Sequence, residues 1–316
     1  MKGGVKADKD REMDAAEVLA LEAIRQVPRA IGLADRDPAG RTYGCADRYF
    51  WHYKFHDFPN ARFQETSELF ARAFLFRHPS NPFAGKEHVR DWAIAAVRFW
   101  ERMARSDGSF DEAYPYERSF CATAFSAMHA VKTLLLLSEK PSSNLRTVGQ
   151  WLAFHDSPDT ANQRSASAAA LALIGVIEGS DMFGRSAGRR AAALWEEQTR
   201  LGYFNEYGGK DIGYTSITLS ALAVYAAASG DAESAARIKS AVTELSTSIR
   251  PDGRYDYGDQ SRATRFLYPF ALARAGDAAL SNVARGVTED SILKPSWMDD
   301  RYMIPFAVDY LRCVGP

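Results

Sequence analysis

Apolar residues recur three and four positions apart along nearly the whole chain, and this spacing constrains the fold more than any other feature. The pattern predicts helices over 15–27, 62–77, 88–105, 119–138, 144–154, 163–178, 186–199, 215–229, 233–249, 261–275, 278–285 and 301–312. No run reads as a strand, so the expected class is all-α. Short joints containing Gly, Pro and Asp separate the segments. Ser-Gly-Asp at 229–231 and Ala-Gly-Asp at 275–277 have the form of helix C-terminal stops.

A weak internal repeat sits on this pattern. Gly108-Ser-Phe-Asp-Glu, Gly202-Tyr-Phe-Asn-Glu and Gly253-Arg-Tyr-Asp-Tyr share a glycine, any residue, an aromatic, then Asp or Asn. With Phe55, Phe110, Phe154, Phe204, Tyr255 and Trp297 as markers, the spacings are 55, 44, 50, 51 and 42 residues. Helices in about six hairpins at this period fit a closed ring, an (α/α)6 toroid, with helices of small apolar residues inside. The Ala-rich 166–172 and 221–228 stretches suit such an inner circle. The competing arrangement is an open solenoid, in which neighbouring repeats also bury a shared core. Nothing in the composition suggests a second domain: 1–12 is expected to be a flexible N-terminus and 13–316 a single domain.

Composition excludes several classes. Lys and Arg number 39 against 40 Asp and Glu, so the net charge is −1 and the basic excess of a nucleic-acid binder is missing. Cys45, Cys121 and Cys313 are odd in number and far apart, which argues against a disulfide framework or structural zinc. The N-terminus is charged, without the apolar core of a signal peptide, and the longest apolar stretches fall short of a membrane span. A soluble, cytoplasmic protein is therefore expected. The phosphate loop and the dinucleotide fingerprint do not occur, and no strand is predicted from which a nucleophile elbow could turn.

In a ring of hairpins, the loops that enter the inner helices open onto one end of the hollow. Those loops hold the unusual residues. Asp47, Arg48, Trp51, His52, Tyr53 and Lys54 lie in the first, and Asp111, Glu112, Tyr114 and Tyr116 in the second. His155 leads to Asn162 and Gln163; the next loop carries Asn205, Glu206, Tyr207, Asp211 and Tyr214. Tyr257, Arg262 and Arg265 follow, then Trp297, Asp299 and Asp300. Aromatic rings facing a shared hollow stack on sugar rings, polar groups receive hydroxyls, and guanidinium pairs with carboxylate. The plainer account makes each Asp or Asn a helix N-cap and each Gly–aromatic pair a turn and packing element.

The DGSFDEAYPY loop, Asn162-Gln163 at the head of an Ala-rich helix, and NEYGGKDIGY together resemble (α/α) toroid carbohydrate-active enzymes. The likeness is to the heparinase II/III-like and alginate-lyase-like families, and glucuronyl C5-epimerases are also similar. It covers most of the chain as architecture and loop style rather than as a diagnostic string. It implies that Asn162 or Gln163 neutralises a uronate carboxylate, that a Tyr or His removes the C5 proton, and that a Tyr protonates the leaving oxygen. The chain departs from the pattern in lacking a His after Asn162 and the large β-sandwich many such lyases carry.

The chemistry can be stated independently. A C5 proton is weakly acidic until the carboxylate is neutralised, for which Arg262, Arg265, Asn162 and Gln163 are available. The base would be Tyr214 first, then His155, with Tyr207 also in reach; Arg262 is expected to lower the tyrosine pKa. His52, His56 and His129 are read as structural or substrate-positioning. No cofactor is demanded, although a carboxylate-rich loop has the chemistry to hold a divalent cation. The expected partner is an acidic poly- or oligosaccharide. Alternatives stay open: a glycoside hydrolase using a pair among Asp111, Glu112, Glu206 and Asp299, a non-catalytic glycan-binding toroid, or a terpene-cyclase-like toroid, for which no DxDD motif is present.

Overall fold

The computed structural model describes residues 13–141 and 144–315; the expected flexible segment 1–12 lies outside them. Among the described residues the chain is helical, with isolated bridges such as Phe110 to Ser119 and no strand. In order, the helices are α1 (Ala15–Ile24), α2 (Val27–Leu33), α3 (Arg48–Trp51), a 3-10 turn at Ala61–Glu65 leading into α4 (Thr66–Leu75), α5 (Glu87–Met103) and α6 (Phe120–Leu137). Then come α7 (Asn144–Phe154), α8 (Ala161–Glu178), α9 (Asp181–Leu201), α10 (Ile212–Ser229) and α11 (Ala232–Ser246). Last are α12 (Phe270–Ala275), α13 (Ala279–Thr288), a 3-10 turn at Pro295–Trp297, and α14 (Asp300–Arg312).

The helix expected over 261–275 is largely a correction: only Phe270–Ala275 is helical. Tertiary bonds hold the preceding residues in another path. The Tyr255 hydroxyl donates to the carbonyls of Thr264 (2.7 Å) and Phe266 (2.9 Å), taking acceptors that a helix would use internally. Asp211 accepts from the backbone N–H of Arg262 and Thr264. Pro269 supplies no donor and sets the start of α12. The 15–27 segment likewise breaks before α2, whose first turn contains Pro28.

Two kinds of helix alternate. α6, α8 and α10 are buried over most of their lengths, and their many Ala and Ser residues let neighbours approach closely. α5, α9 and α11 bury one stripe and expose the other. α4 packs on α6, α6 on α8, α8 on α10, α10 on α12, α12 on α14, and α14 on α4. α5 lies against α4 and α6, α7 against α6 and α8, α9 against α8, α11 against α10 and α12, and α1 against α13 and α14. α6 and α10 are long and apolar enough to cross a membrane, but each is 72% buried by these neighbours.

The repeat has a backbone cause. Gly108, Gly202 and Gly253 all adopt left-handed φ, at 90°, 79° and 78°. The aromatic two residues later is buried in each case: Phe110 stacks on Trp100 at 4.8 Å, Phe204 lies against Trp195 at 5.4 Å, and Tyr255 makes the bonds described above. The motif is therefore a turn with a packing anchor.

Candidate functional site

Helix N-termini determine where the polar loops go. Asp211 caps α10 by accepting from Tyr214 N–H, Ser119 caps α6, and Asp299 caps α14 by accepting from Arg301 and Tyr302 N–H. The first turns of α6, α8, α10 and α14, with the 3-10 turn before α4, then surround a cavity of about 570 Å³. That volume falls within the range of small-molecule sites.

Of the residues expected in a shared hollow, Glu112, Asn162, Gln163, Tyr207, Tyr214 and Arg262 line this cavity together. They span 151 positions of sequence, so their meeting is a product of tertiary packing. Arg262 places its guanidinium 4.5 Å from the centre of the Tyr207 ring, and the Tyr207 and Tyr214 rings meet edge-on at 6.0 Å. Tyr207 is held in a left-handed conformation (φ 54°) by the Glu206–Gly209 turn. Burial pushes the Tyr214 hydroxyl up to about 12, aided by Tyr207 and Tyr302 and only partly opposed by Arg262. Tyr207 is raised in the same sense. The expectation that Arg262 would bring these tyrosines below their ordinary value is thus corrected: desolvation outweighs one guanidinium that is itself exposed.

The cavity's arginines differ in what they touch. Arg62 pairs with Glu65, Arg118 with Asp107, Arg301 with Glu112 and Arg312 with Glu68. Arg262 has no ion pair among the described residues, and its charge faces the tyrosines.

Other expected residues are placed elsewhere. Glu206 is fully buried behind the wall, accepting from Asn162 N–H (2.7 Å), Asn162 Nδ2 (2.6 Å) and Thr218 Oγ1 (3.2 Å). Burial pushes its carboxyl up to about 7 against those bonds. Glu206 thus bolts the 205–209 loop to the start of α8, and Asn162 spends its amide on that bolt. His155 is outside the cavity, stacked on Trp151 at 4.1 Å with Nδ1 2.8 Å from the Trp151 carbonyl. Asp47 is buried as the cap of α3, also accepting from Asn60 N–H. Arg48 and Trp51 donate to the carbonyls of Gly32 and Leu33, while His52 and Tyr53 pack edge-on near them. Lys54 adopts φ 56° beyond α3, with its ammonium 5.9 Å from the Phe50 ring centre. Asp111 accepts from Arg105 and from the N–H groups of Tyr116 and Arg118, organising a loop whose Tyr114 and Tyr116 are exposed. Asn205 accepts from Gly208 N–H, and Asp300 pairs with Arg29 at 2.7 Å. Tyr257, Arg265 and Trp297 line a separate cleft.

The loop-centred sequence reading missed the cavity floor, which comes from helix faces. Cys121, Phe125, Met128 and His129 on α6 and Arg301, Pro305, Asp309 and Arg312 on α14 line it at helical spacing. Beneath them, buried Glu68 accepts from Arg72 Nε (2.7 Å), Arg312 Nε (3.0 Å) and Nη2 (2.6 Å), and His129 Nδ1 lies 2.8 Å away. Burial alone would raise the Glu68 carboxyl, but Arg312, Arg72 and His129 hold it well below the usual range. Asp309, whose Oδ2 accepts Phe270 N–H, is pushed up to about 6 by burial, opposed by Arg312. The available signal was charge recurring at three- and four-residue spacing within otherwise apolar helices.

Among the described residues, no group of three or more His, Cys, Asp or Glu side chains is arranged to hold a metal ion. Cys45, Cys121 and Cys313 are free thiols. No family model, curated protein or solved structure matches the chain.

Proposed function

We propose that the cavity binds a uronate unit of an acidic poly- or oligosaccharide and that the protein acts by proton transfer at C5, as a lyase or an epimerase. The single observation that carries this reading is the unpaired guanidinium of Arg262 facing Tyr207 and Tyr214 in a cavity of sugar-sized volume. A carboxylate docked on Arg262 has its charge neutralised, which acidifies the adjacent C–H. Gln163, beside the Tyr207 hydroxyl, adds a neutral hydrogen-bonding group.

The tyrosines divide the work. Tyr214, with its hydroxyl near 12, is protonated at neutral pH and serves as the acid toward the departing oxygen or the opposite ring face. Tyr207, under the guanidinium but likewise held above its ordinary value by burial, is the base and works as such toward alkaline pH. The architecture proposed with this chemistry is an (α/α)6 toroid of the kind the heparinase II/III-like and alginate-lyase-like enzymes use. Its support is the run of inner contacts from α4 through α14 and from α14 to α4.

A screen of uronate polymers read by the near-ultraviolet absorbance of an unsaturated product tests elimination; sugar analysis of the recovered polymer tests epimerisation. Tyr214→Phe should abolish turnover with the fold retained by circular dichroism, and full activity in that variant overturns the assignment. A second reading draws on Asp309: a carboxyl raised to about 6 on the same cavity as Glu112 offers the acid of a two-carboxylate hydrolase. New reducing ends without ultraviolet absorbance distinguish it.

A further inference from the structure

A second hollow of about 570 Å³ adjoins the cavity and shares none of its lining residues. Its walls carry Arg250, Arg254, Arg265, Tyr255, Tyr257 and Trp297. The three arginines are exposed, and Trp297 keeps 50% of its surface open. Arg250 and Arg265 have no ion pair among the described residues, and Arg254 stands 3.6 Å from Asp252. Arg265 lies over the Tyr257 ring at 4.9 Å, and Lys294, outside the lining and paired with Asp290, lies 5.4 Å from the Trp297 ring centre. Asp256, the acid in the lining, accepts Gly258 N–H. Positive charge therefore exceeds negative here, around two partly open aromatic rings.

Two stretches of chain wall both hollows. Arg262, Phe266 and Tyr268 face the cavity, whereas Arg265 faces the cleft. Trp297 faces the cleft, whereas Arg301 and Tyr302 face the cavity. The 262–268 ridge is pinned by the Tyr255 hydroxyl and by Asp211, so it is a fixed divide. Arg265 and Phe266 are consecutive, so a single run of backbone separates the two linings at this point.

We propose that this cleft is a second binding site for an anionic sugar unit, carboxylate- or sulfate-bearing, on the same saccharide chain that enters the cavity. Guanidinium groups take the anion and the exposed indole takes a ring face. The protein then grips a chain across the ridge rather than a single sugar. The occupant's identity as a saccharide rests on the proposed function; the cleft's geometry does not.

The test is calorimetric titration of the full chain with uronate disaccharides and longer fragments derived from pectin, alginate and glycosaminoglycans. Trp297→Ala and Arg265→Ala alter exposed side chains and leave the cavity lining unchanged. Each should weaken binding of long fragments about tenfold, the loss of a stacked ring or a charge-assisted bond, and leave disaccharide binding as in the wild type. Arg262→Ala should weaken both. Unchanged long-fragment affinity in the cleft variants overturns the second site, even where Arg262→Ala supports the cavity. The reverse result, with only the cleft variants weakened, supports the cleft and overturns the uronate reading of the cavity. Failure of the wild type to bind any fragment, or tighter binding of single-stranded RNA abolished by the same cleft variants, overturns the saccharide proposal.

Discussion

Glu206→Gln should change the protein's stability in opposite directions at acid and alkaline pH. The Glu206 carboxyl rises from an ordinary value of 4.5 to about 7 in the folded protein, because burial costs more than its bonds to Asn162 and Thr218 return. The folded state thus binds the proton more tightly than the unfolded state. Its contribution to stability is complete below about pH 4.5 and is lost as pH rises through 7. At 1.36 kcal/mol per tenfold change in proton affinity, ionisation costs about 3 kcal/mol of stability by pH 8. Gln keeps the shape and cannot ionise, but its amide N–H₂ meets a donor of Asn162, at a cost of about 1–2 kcal/mol. The variant should be less stable than the wild type by about 1–2 kcal/mol at pH 4 and more stable by a similar amount at pH 8. Urea unfolding of both proteins at the two pH values measures this, and titration of Asp309 cancels in the difference. A mutational effect of the same size and sign at both pH values refutes the account of Glu206 as a desolvated carboxylate.

Three further outcomes follow from the packing. Glu68→Gln leaves Arg72 and Arg312 buried beside a neutral partner and should cost about 3–5 kcal/mol in chemical denaturation. Gly108→Ala should cost more than Gly202→Ala. A Cβ at Gly108 meets the Thr147 carbonyl oxygen at 2.5 Å, whereas at Gly202 nothing lies within 4 Å and only the left-handed backbone is penalised, by about 1–2 kcal/mol. Equal losses in thermal unfolding would contradict the packing role given to the first turn. Tyr207→Phe should remove the rise of kcat/KM with alkaline pH that a tyrosine base produces, which a pH–rate profile reads directly.

The helices were legible because burial of one face imposes a spacing on the sequence, and α4 through α11 lie close to where that spacing places them. The 261–275 segment misled because the same apolar spacing is met there by tertiary hydrogen bonds from Tyr255 and Asp211, which no local pattern encodes. At the candidate site, residues at the heads of inner helices were legible: Asn162, Gln163 and Tyr214 converge there with Arg262, which arrives on the non-helical stretch before α12. Asp47 and Asp211 are equally polar and equally placed in loops, yet they turn inward as caps. Cap and ligand-facing roles use the same residue types, so sequence alone does not separate them. Asp309 and Arg312 escaped notice because they sit inside an apolar helix, where a charge reads as a solvated edge until the neighbouring helix is known. His129 was legible, but not with these partners.

The most direct test of the central claim is exchange at the reacting carbon. Uronate oligosaccharides incubated with the protein in D₂O are followed by proton NMR. The account predicts loss of the H5 signal, by deuterium incorporation or by unsaturation, with the wild type and its retention with Tyr207→Phe and Arg262→Ala. An H5 signal that persists while new reducing ends accumulate would contradict proton abstraction as the reaction of this cavity.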